Sequence, residues 1–205
     1  MSTILAGLML GASLIVAIGP QNLMVITYGI RRQAVTAVIL VCFVSDIILY
    51  IAGTLGVAAV VSAVPWLLDV LRWLGVAFLI VLAAQSAWEA ARPKEAALTA
   101  AGQAKQTVRQ GWVGPVRTIL AVTWLNPAAF LDTLVIGGTL SNHYGDTGRW
   151  LFVLGAILSS AIWFPLLGYG AAALSGPLSR PNVWRVLKAV VAVMLLIIAV
   201  RLALM

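Results

Sequence analysis

The sequence predicts an all-α integral membrane protein with six transmembrane helices. The 205 residues are 62% hydrophobic and 9% charged, with a mean hydropathy of +1.06, which leaves too little polar surface to cover a soluble globule. The apolar residues lie in long runs, and a helix needs about 20 such residues to cross ~30 Å of hydrocarbon. The predicted spans are 3–28, 35–61, 66–88, 116–141, 150–174 and 184–204.

The first and last spans are the least obvious. No Lys or Arg precedes Arg31, and the first apolar run is longer than that of a signal peptide, so we interpret it as a span. In the sixth span, Lys188 and Arg201 confine the uncharged centre to twelve residues. Both side chains are therefore expected to snorkel toward the headgroups. A five-span topology remains the alternative.

Basic residues between the spans predict the orientation. The loops 29–34, 90–114 and 176–187, with the residues that flank them, hold ten Lys and Arg, and the other side holds three. Because cytoplasmic loops carry the excess of basic residues, these loops are predicted to be cytoplasmic and both termini to lie outside. The net charge of +7 is thus a topology signal, and nucleic acid is not expected as a partner.

The longest loop, 90–114, divides the chain into a first half, 1–89, and a second half, 115–205, with three predicted spans each. The loop is Ala-rich and basic, which favours a solvated segment drawn to anionic lipid headgroups; contact with another protein is the alternative. An odd number of spans in each half predicts two inverted three-helix repeats, as in many secondary transporters.

Prolines break the first span of each half. Gly19 and Pro20 lie inside span one, and Pro127 lies at the corresponding place in span four. Each proline lacks an N–H and displaces the carbonyl four residues back, so the carbonyls of Val16 and Thr123 are expected to be open to a ligand. Simple bending of the helices is the alternative.

Amide side chains lie beside both breaks: Gln21 and Asn22 follow the first, and Asn126 precedes the second proline. Amides supply both donors and acceptors. Broken helices with adjacent amides, in matching spans, predict a substrate site at these positions.

Two carboxylates lie at membrane depth. Asp46 is at the middle of span two with Ser45 beside it and Tyr50 one turn further, and Asp132 is in span four beside Thr133. An acid at the bilayer centre costs about 2.5–3.5 kcal/mol on insertion scales. No Lys or Arg occupies a span centre, so these acids are expected to bind a cation or a proton. Neutral acids bridging helices are the structural alternative.

Redox and metal chemistry find little support. Cys42 is the only cysteine and lies in an apolar run, which excludes an intrachain disulfide, a CxxC centre and a thiolate metal site within one chain. His143 is also single and lies in a polar loop, where an ordinary histidine is expected. We predict no metal site, no cofactor and no catalytic residue.

An intramembrane aspartyl protease is the alternative from another class. That chemistry needs two carboxyls that share a proton, and the protease family presents one of them in a Gly-x-Gly-Asp segment. The aspartates here read Val44-Ser45-Asp46 and Phe130-Leu131-Asp132. The sequence therefore favours a transporter over an enzyme.

Segments in both halves resemble the bacterial lysine exporter (LysE) family. In the first half these are Leu10-Gly11-Ala12-Ser13, Ile18-Gly19-Pro20-Gln21-Asn22, Gly29-Ile30-Arg31-Arg32 and Ser45-Asp46. In the second half they are Thr123-Trp124-Leu125-Asn126-Pro127, Leu131-Asp132 and Ile162-Trp163-Phe164-Pro165. The resemblance covers nearly the whole chain apart from loop 90–114, and is closest to the branch that exports L-lysine and L-arginine.

This resemblance implies a secondary exporter of basic amino acids in the bacterial cytoplasmic membrane. Asp46 and Asp132 match the intramembrane aspartates of the family, and the Gly-Pro-Gln-Asn and Asn-Pro segments match its breaks. The expected partners are lysine or arginine as substrate, protons as coupling ion and the lipid bilayer; assembly into a homo-oligomer is left open. Export of neutral amino acids or metal cations on the same fold is the alternative.

Overall fold

Over the residues that the computed structural model describes, 2–16, 19–56, 65–91, 111–126, 129–178 and 181–204, the chain consists of helices and short turns, without a strand. The predicted all-α class is confirmed for this part of the chain. The elements are α1 (Ser2–Ile15), α2 (Pro20–Ile30), α3 (Val35–Thr54), α4 (Pro65–Ala91), α5 (Val113–Trp124), a π-helix (Phe130–Gly137), α6 (Gly138–Asn142), α7 (Gly145–Ala173), α8 (Ser175–Leu178) and α9 (Pro181–Leu204).

Four of the described helices are long and apolar enough to cross a membrane: α3, α7, the Trp73–Ala91 part of α4 and the Arg185–Leu204 part of α9. The consecutive helices α1 and α2 meet at 77° and qualify as a fifth span if they are counted together. The predicted span 116–141 does not qualify, because it is divided among α5, the π-helix and α6, each of which is short.

Proline and glycine set several helix ends. α2 begins at Pro20 with Gly19 as its N-cap, and α4 and α9 also begin at proline, which fits the first helical position because the missing N–H has no intrahelical acceptor there. α3 ends at Thr54, and Gly56 beyond it has a φ of +89°. Residues 57–61, predicted to continue span two, lie outside the described residues. Pro165 lies inside α7, which continues past it.

α7 lies at the centre of the fold, in contact with α1, α2 and α3, while α4 packs along α9. The GxxxG pair of Gly7 and Gly11 faces α7, where a Cβ at either position would collide with the backbone of Phe152 or with Ser159. Gly155 of α7 meets the Ile4 backbone in the same way. Small residues at both positions of the GxxxG pair thus allow the close packing of α1 on α7.

The helix ends gather in two groups. At one end, the Thr54 and Ser141 hydroxyls are 2.9 Å apart, which joins α3 to α6. At the other end, Arg31 follows α2 and its Nη2 atom lies 2.6 Å from Oε2 of Glu89, near the end of α4. Lys188, early in α9, places Nζ 3.2 Å from the same oxygen. This charged cluster (Arg31, Glu89 and Lys188) joins helix ends that flank the three predicted cytoplasmic loops.

The expectation that Lys188 snorkels to the headgroups is wrong. Its side chain is only 4% exposed, because it points into the protein and pairs with Glu89. Glu89 is far from Lys188 in the sequence. Because the ion pair with Glu89 compensates the ammonium charge inside the protein, the Lys188 side chain does not have to reach the lipid interface. Arg201, at the other end of α9, is exposed.

Candidate functional site

Asp46 is buried between α3 and α7. Its carboxylate oxygen Oδ2 accepts a hydrogen bond of 2.5 Å from the Ser160 hydroxyl, and only 7% of the residue is exposed. No basic side chain of the described residues compensates its charge. A buried acid held by a neutral donor is able to take up either a proton or a cation.

Asp132 lies on the π-helix and is half-buried. A π-helix is wider than an α-helix and is found preferentially at functional sites, because the extra residue re-aims neighbouring side chains. Within the described part of the chain, no basic side chain offsets the Asp132 charge either. The sequence contains no signal for the π geometry, since its hydrophobic pattern is compatible with an ordinary helix.

Tyr50 connects the neighbourhoods of the two acids. It lies one turn beyond Asp46, is 3% exposed, and its phenol is within electrostatic reach of both Asp46 and Asp132. The Tyr50 ring also occupies the space beside Gly137, where a Cβ would be 2.7 Å from a ring carbon. The absence of a side chain at Gly137 thus lets the π-helix approach α3.

The break between α1 and α2 is held by Asn22, which is 5% exposed. Its Nδ2 donates to the Ile15 carbonyl at 2.7 Å, and its Oδ1 accepts from Nε1 of Trp163 at 3.4 Å. The carbonyl that is satisfied at this break is therefore that of Ile15. Trp163 and Ser160 are three residues apart and share one face of α7, so this face contacts both the break and Asp46.

Gln21 lies at the open end of α2. Among the described residues, no hydrogen-bond partner satisfies its buried Nε2 atom, and its side chain lies beside Cys42 of α3. The N-cap of α2 is Gly19, which has no side chain to cap the helix, so the backbone N–H of Gln21 in the first turn points out of the helix end. A helix N-terminus with an additional amide donor is suited to an anionic group such as a carboxylate.

The second break is described on both sides, while Pro127 itself lies outside the described residues. Asn126 is half-buried, and its carbonyl accepts a bond of 3.0 Å from the Ala129 N–H. Trp124, at the end of α5, donates from Nε1 to the Ser45 hydroxyl at 3.1 Å, next to Asp46, and its ring meets Phe130 edge-on at 6.0 Å. The Thr123 hydroxyl is buried, and none of the described residues forms a hydrogen bond with it.

The structure therefore places Gln21, Asn22 and Asp46 near α3 and α7, with Asn126 and Asp132 on the segment that also packs against α3. Sequence reasoning missed Ser160, Trp163 and Trp124 as partners of these residues. For Trp163 and Trp124 the sequence does contain a signal, because each lies inside a predicted apolar span and not at its ends, where tryptophan is usually found. The described residues contain no group of three or more His, Cys, Asp or Glu able to hold a metal ion.

Known proteins match this chain over nearly its whole length. Residues 12–205 match the LysE type translocator family. The lysine exporter LysE of Corynebacterium efficiens is 46% identical over 227 residues, with all of both chains covered. The lysine exporter LysE of Corynebacterium glutamicum is 43% identical with the same coverage, and the arginine exporter protein ArgO of Escherichia coli is 39% identical over 96% of this chain and 91% of its own. No solved structure matches the chain.

Proposed function

Since the chain belongs to the LysE type translocator family, we propose that it exports basic L-amino acids, lysine or arginine, from the bacterial cytoplasm. Relatives that match along nearly their whole length are named lysine exporter and arginine exporter. The observation that carries the proposal is the buried Asp46 carboxylate, whose charge no basic side chain of the described residues compensates. Such an acid complements an ammonium or a guanidinium group.

The proposed topology has six spans in the cytoplasmic membrane, with both termini outside. The charged cluster supports it, because Arg31, Glu89 and Lys188 flank the three loops that the positive-inside rule assigns to the cytoplasm. The Arg32 side chain adds a bond to the Ser175 hydroxyl of α8 at 2.7 Å, so the end of span five is also near this group. Loop 90–114 lies almost entirely outside the described residues, and its lipid contact remains a proposal.

Two inverted repeats, within halves 1–89 and 115–205, are the proposed architecture. The first span of each half is interrupted, by the bend between α1 and α2 and by the passage from α5 to the π-helix. The second spans, α3 and α7, pack on each other, and so do the third spans, α4 and α9. Pairing of matching spans is expected when a two-fold axis relates the halves.

The proposed substrate pose uses opposite charges at its two ends. The side-chain cation lies against Asp46, with Asp132 reached past Tyr50, and the α-carboxylate lies at the N-terminus of α2 near Gln21. Asn22 positions the break, and Asn126 lines the second half of the site. A substrate that carries both charges is the one that satisfies both regions.

Energy coupling is required for export. Moving one positive charge outward against a negative-inside potential costs about 2.3 kcal/mol per 100 mV, so a basic amino acid accumulates inside if it is not coupled. Proton antiport through Asp46 or Asp132 is the proposed route, because a carboxylate binds either a proton or the substrate cation. One proton per substrate makes the exchange electroneutral, and two protons also exploit the potential.

Peptide-fed cells test the substrate. A strain that lacks the gene should accumulate lysine or arginine after a dipeptide pulse, and the wild-type gene should lower these pools while the Asp46→Asn variant should not. Unchanged basic pools together with accumulation of a neutral amino acid would replace the basic substrate by a neutral one.

A further inference from the structure

The charged cluster contains a second carboxylate with features of a binding site. Glu89 is 21% exposed, and the Arg31 guanidinium at 2.6 Å and the Lys188 ammonium at 3.2 Å contact the same oxygen, Oε2. It lies at the end of the molecule where α2 and α4 end and α9 begins, whereas Asp46 lies at the middle of α3. The two acids therefore occupy different levels of the protein.

The two cations on Glu89 are the cationic groups of the proposed substrates. Arg31 presents a guanidinium, as arginine does, and Lys188 presents an ammonium, as lysine does. A carboxylate that accommodates both groups at once has the chemistry to hold the side chain of either free amino acid.

We propose that Glu89 is a loading site for the basic amino acid at the predicted cytoplasmic end, which the Arg31 guanidinium occupies until the substrate cation replaces it. This inference rests on the proposed function. Arg31 is the group that leaves, because its side chain is 22% exposed while that of Lys188 is 4% exposed. Lys188 stays buried beside Glu89 before and after the exchange.

The backbone beside Arg31 favours such a movement. Arg32 and Ala34, neither of which is glycine, have φ values of +50° and +48°, a left-handed conformation that costs energy for residues with a side chain. The turn is held by the Arg31 pair on one side and by the bond from Arg32 Nε to Ser175 on the other. Release of Arg31 from Glu89 removes one of the side-chain restraints on this turn.

A cluster that only joins helix ends should respond to substitution differently from a loading site. If Arg31 competes with the substrate, Arg31→Gln should lower the KM for substrate on the cytoplasmic face, by about threefold, because a larger fraction of the sites is vacant. Glu89→Gln should raise this KM by about tenfold or more, since the carboxylate is lost. A purely structural cluster shifts both variants in the same direction.

The experiment is uptake of radiolabelled L-lysine into energised inverted vesicles, in which the cytoplasmic face is outside, normalised to the amount of protein in the membrane. Opposite shifts of KM in Arg31→Gln and Glu89→Gln are expected. KM shifts of the same sign, or unchanged KM in both, would overturn the loading site. Asp146→Asn is the matched control: it removes an acid from an exposed ion pair with Arg149, and its KM should equal that of the wild type.

Glu89→Gln leaves Lys188 buried without its carboxylate, and this variant is therefore at risk of misfolding. The double variant Glu89→Gln with Lys188→Gln removes both charges and should be present at wild-type amounts with the same raised KM. A wild-type KM in this double variant would overturn the loading site. Wild-type vesicles that take up no lysine would instead refute the proposed function, which keeps the two failures distinct.

Discussion

Ser160 of α7 donates a 2.5 Å hydrogen bond to the Asp46 carboxylate of α3, and this bond joins two helices that are each long and apolar enough to cross a membrane. It orients the carboxylate without neutralising it. The acid is therefore held in place and remains available to a mobile cation or proton.

Replacing Asp46 should stop transport. Asp46→Asn removes the charge but keeps the shape, and losing one partner of a buried charge pair costs about 2–5 kcal/mol, which corresponds to a loss of export rate of at least about 30-fold. The measurement is lysine efflux from loaded cells, normalised to membrane protein. Wild-type efflux in Asp46→Asn would indicate that this acid has only a structural role.

Removing the Ser160 hydroxyl should lower lysine efflux more than removing the Ser159 hydroxyl. Ser160→Ala removes the bond to Asp46, whereas Ser159→Ala removes a bond of 2.6 Å to the Ala156 carbonyl of its own helix. Hydrogen bonds to charged groups are worth about 1.5–3 kcal/mol, so Ser160→Ala should lower efflux by about tenfold or more. Equal efflux in the two variants would show that Ser160 does not position the acid.

Asp132 and Tyr50 should act together. Asp132→Asn is expected to cripple export with protein amounts unchanged, and Tyr50→Phe, which removes only the hydroxyl within electrostatic reach of both acids, should have a smaller effect. The Asp132→Asn, Tyr50→Phe double variant checks the link by a mutant cycle. Strictly additive losses would indicate that the residues act independently.

The prediction that Asp46 lies at membrane depth and has a role there follows from the sequence alone, because an acid in a long apolar run is costly to insert and is rarely kept without a role. The hydrogen-bond partner of Asp46 cannot be predicted in this way, because Ser160 is 114 residues away and a serine in a membrane helix is common. The family resemblance is confirmed by the match over residues 12–205. For Lys188 the sequence prediction is wrong. The rule for lysines near helix ends predicts an ammonium at the headgroups, and the ion pair with Glu89 cannot be read from the sequence.

The breaks were predictable in position but not in geometry. A proline inside an apolar run indicates an interruption, and α2 does begin at Pro20. The 77° angle between α1 and α2, and the bridge from Asn22 to Ile15, depend on packing against Trp163 of α7. The π-helix around Asp132 leaves the hydrophobic pattern unchanged and was not predictable.

Glycine packing between α1 and α7 should set the stability of the fold. Gly7→Val forces a side chain into the Phe152 backbone, which is expected to cost at least about 1–3 kcal/mol. The matched control is Gly170→Val on α7, where a Cβ meets nothing within 4 Å. Thermal unfolding of both proteins in detergent is the measurement, and equal midpoints would contradict the close contact.

Gln21 should recognise the substrate carboxylate. Wild-type protein is expected to bind lysine more tightly than lysine amide, which lacks the carboxylate, and Gln21→Ala should reduce this preference by about tenfold or more, the value of one hydrogen bond to a charged group. Competition against radiolabelled lysine measures it. An unchanged preference would place the carboxylate elsewhere.

Purified protein in liposomes tests the central claim most directly. With an imposed proton gradient, wild-type protein should move radiolabelled lysine or arginine in the direction opposite to protons, and the Asp46→Asn protein should show no gradient-dependent movement. Gradient-driven transport of basic amino acids that persists in Asp46→Asn, or wild-type protein that moves only neutral amino acids, would contradict it.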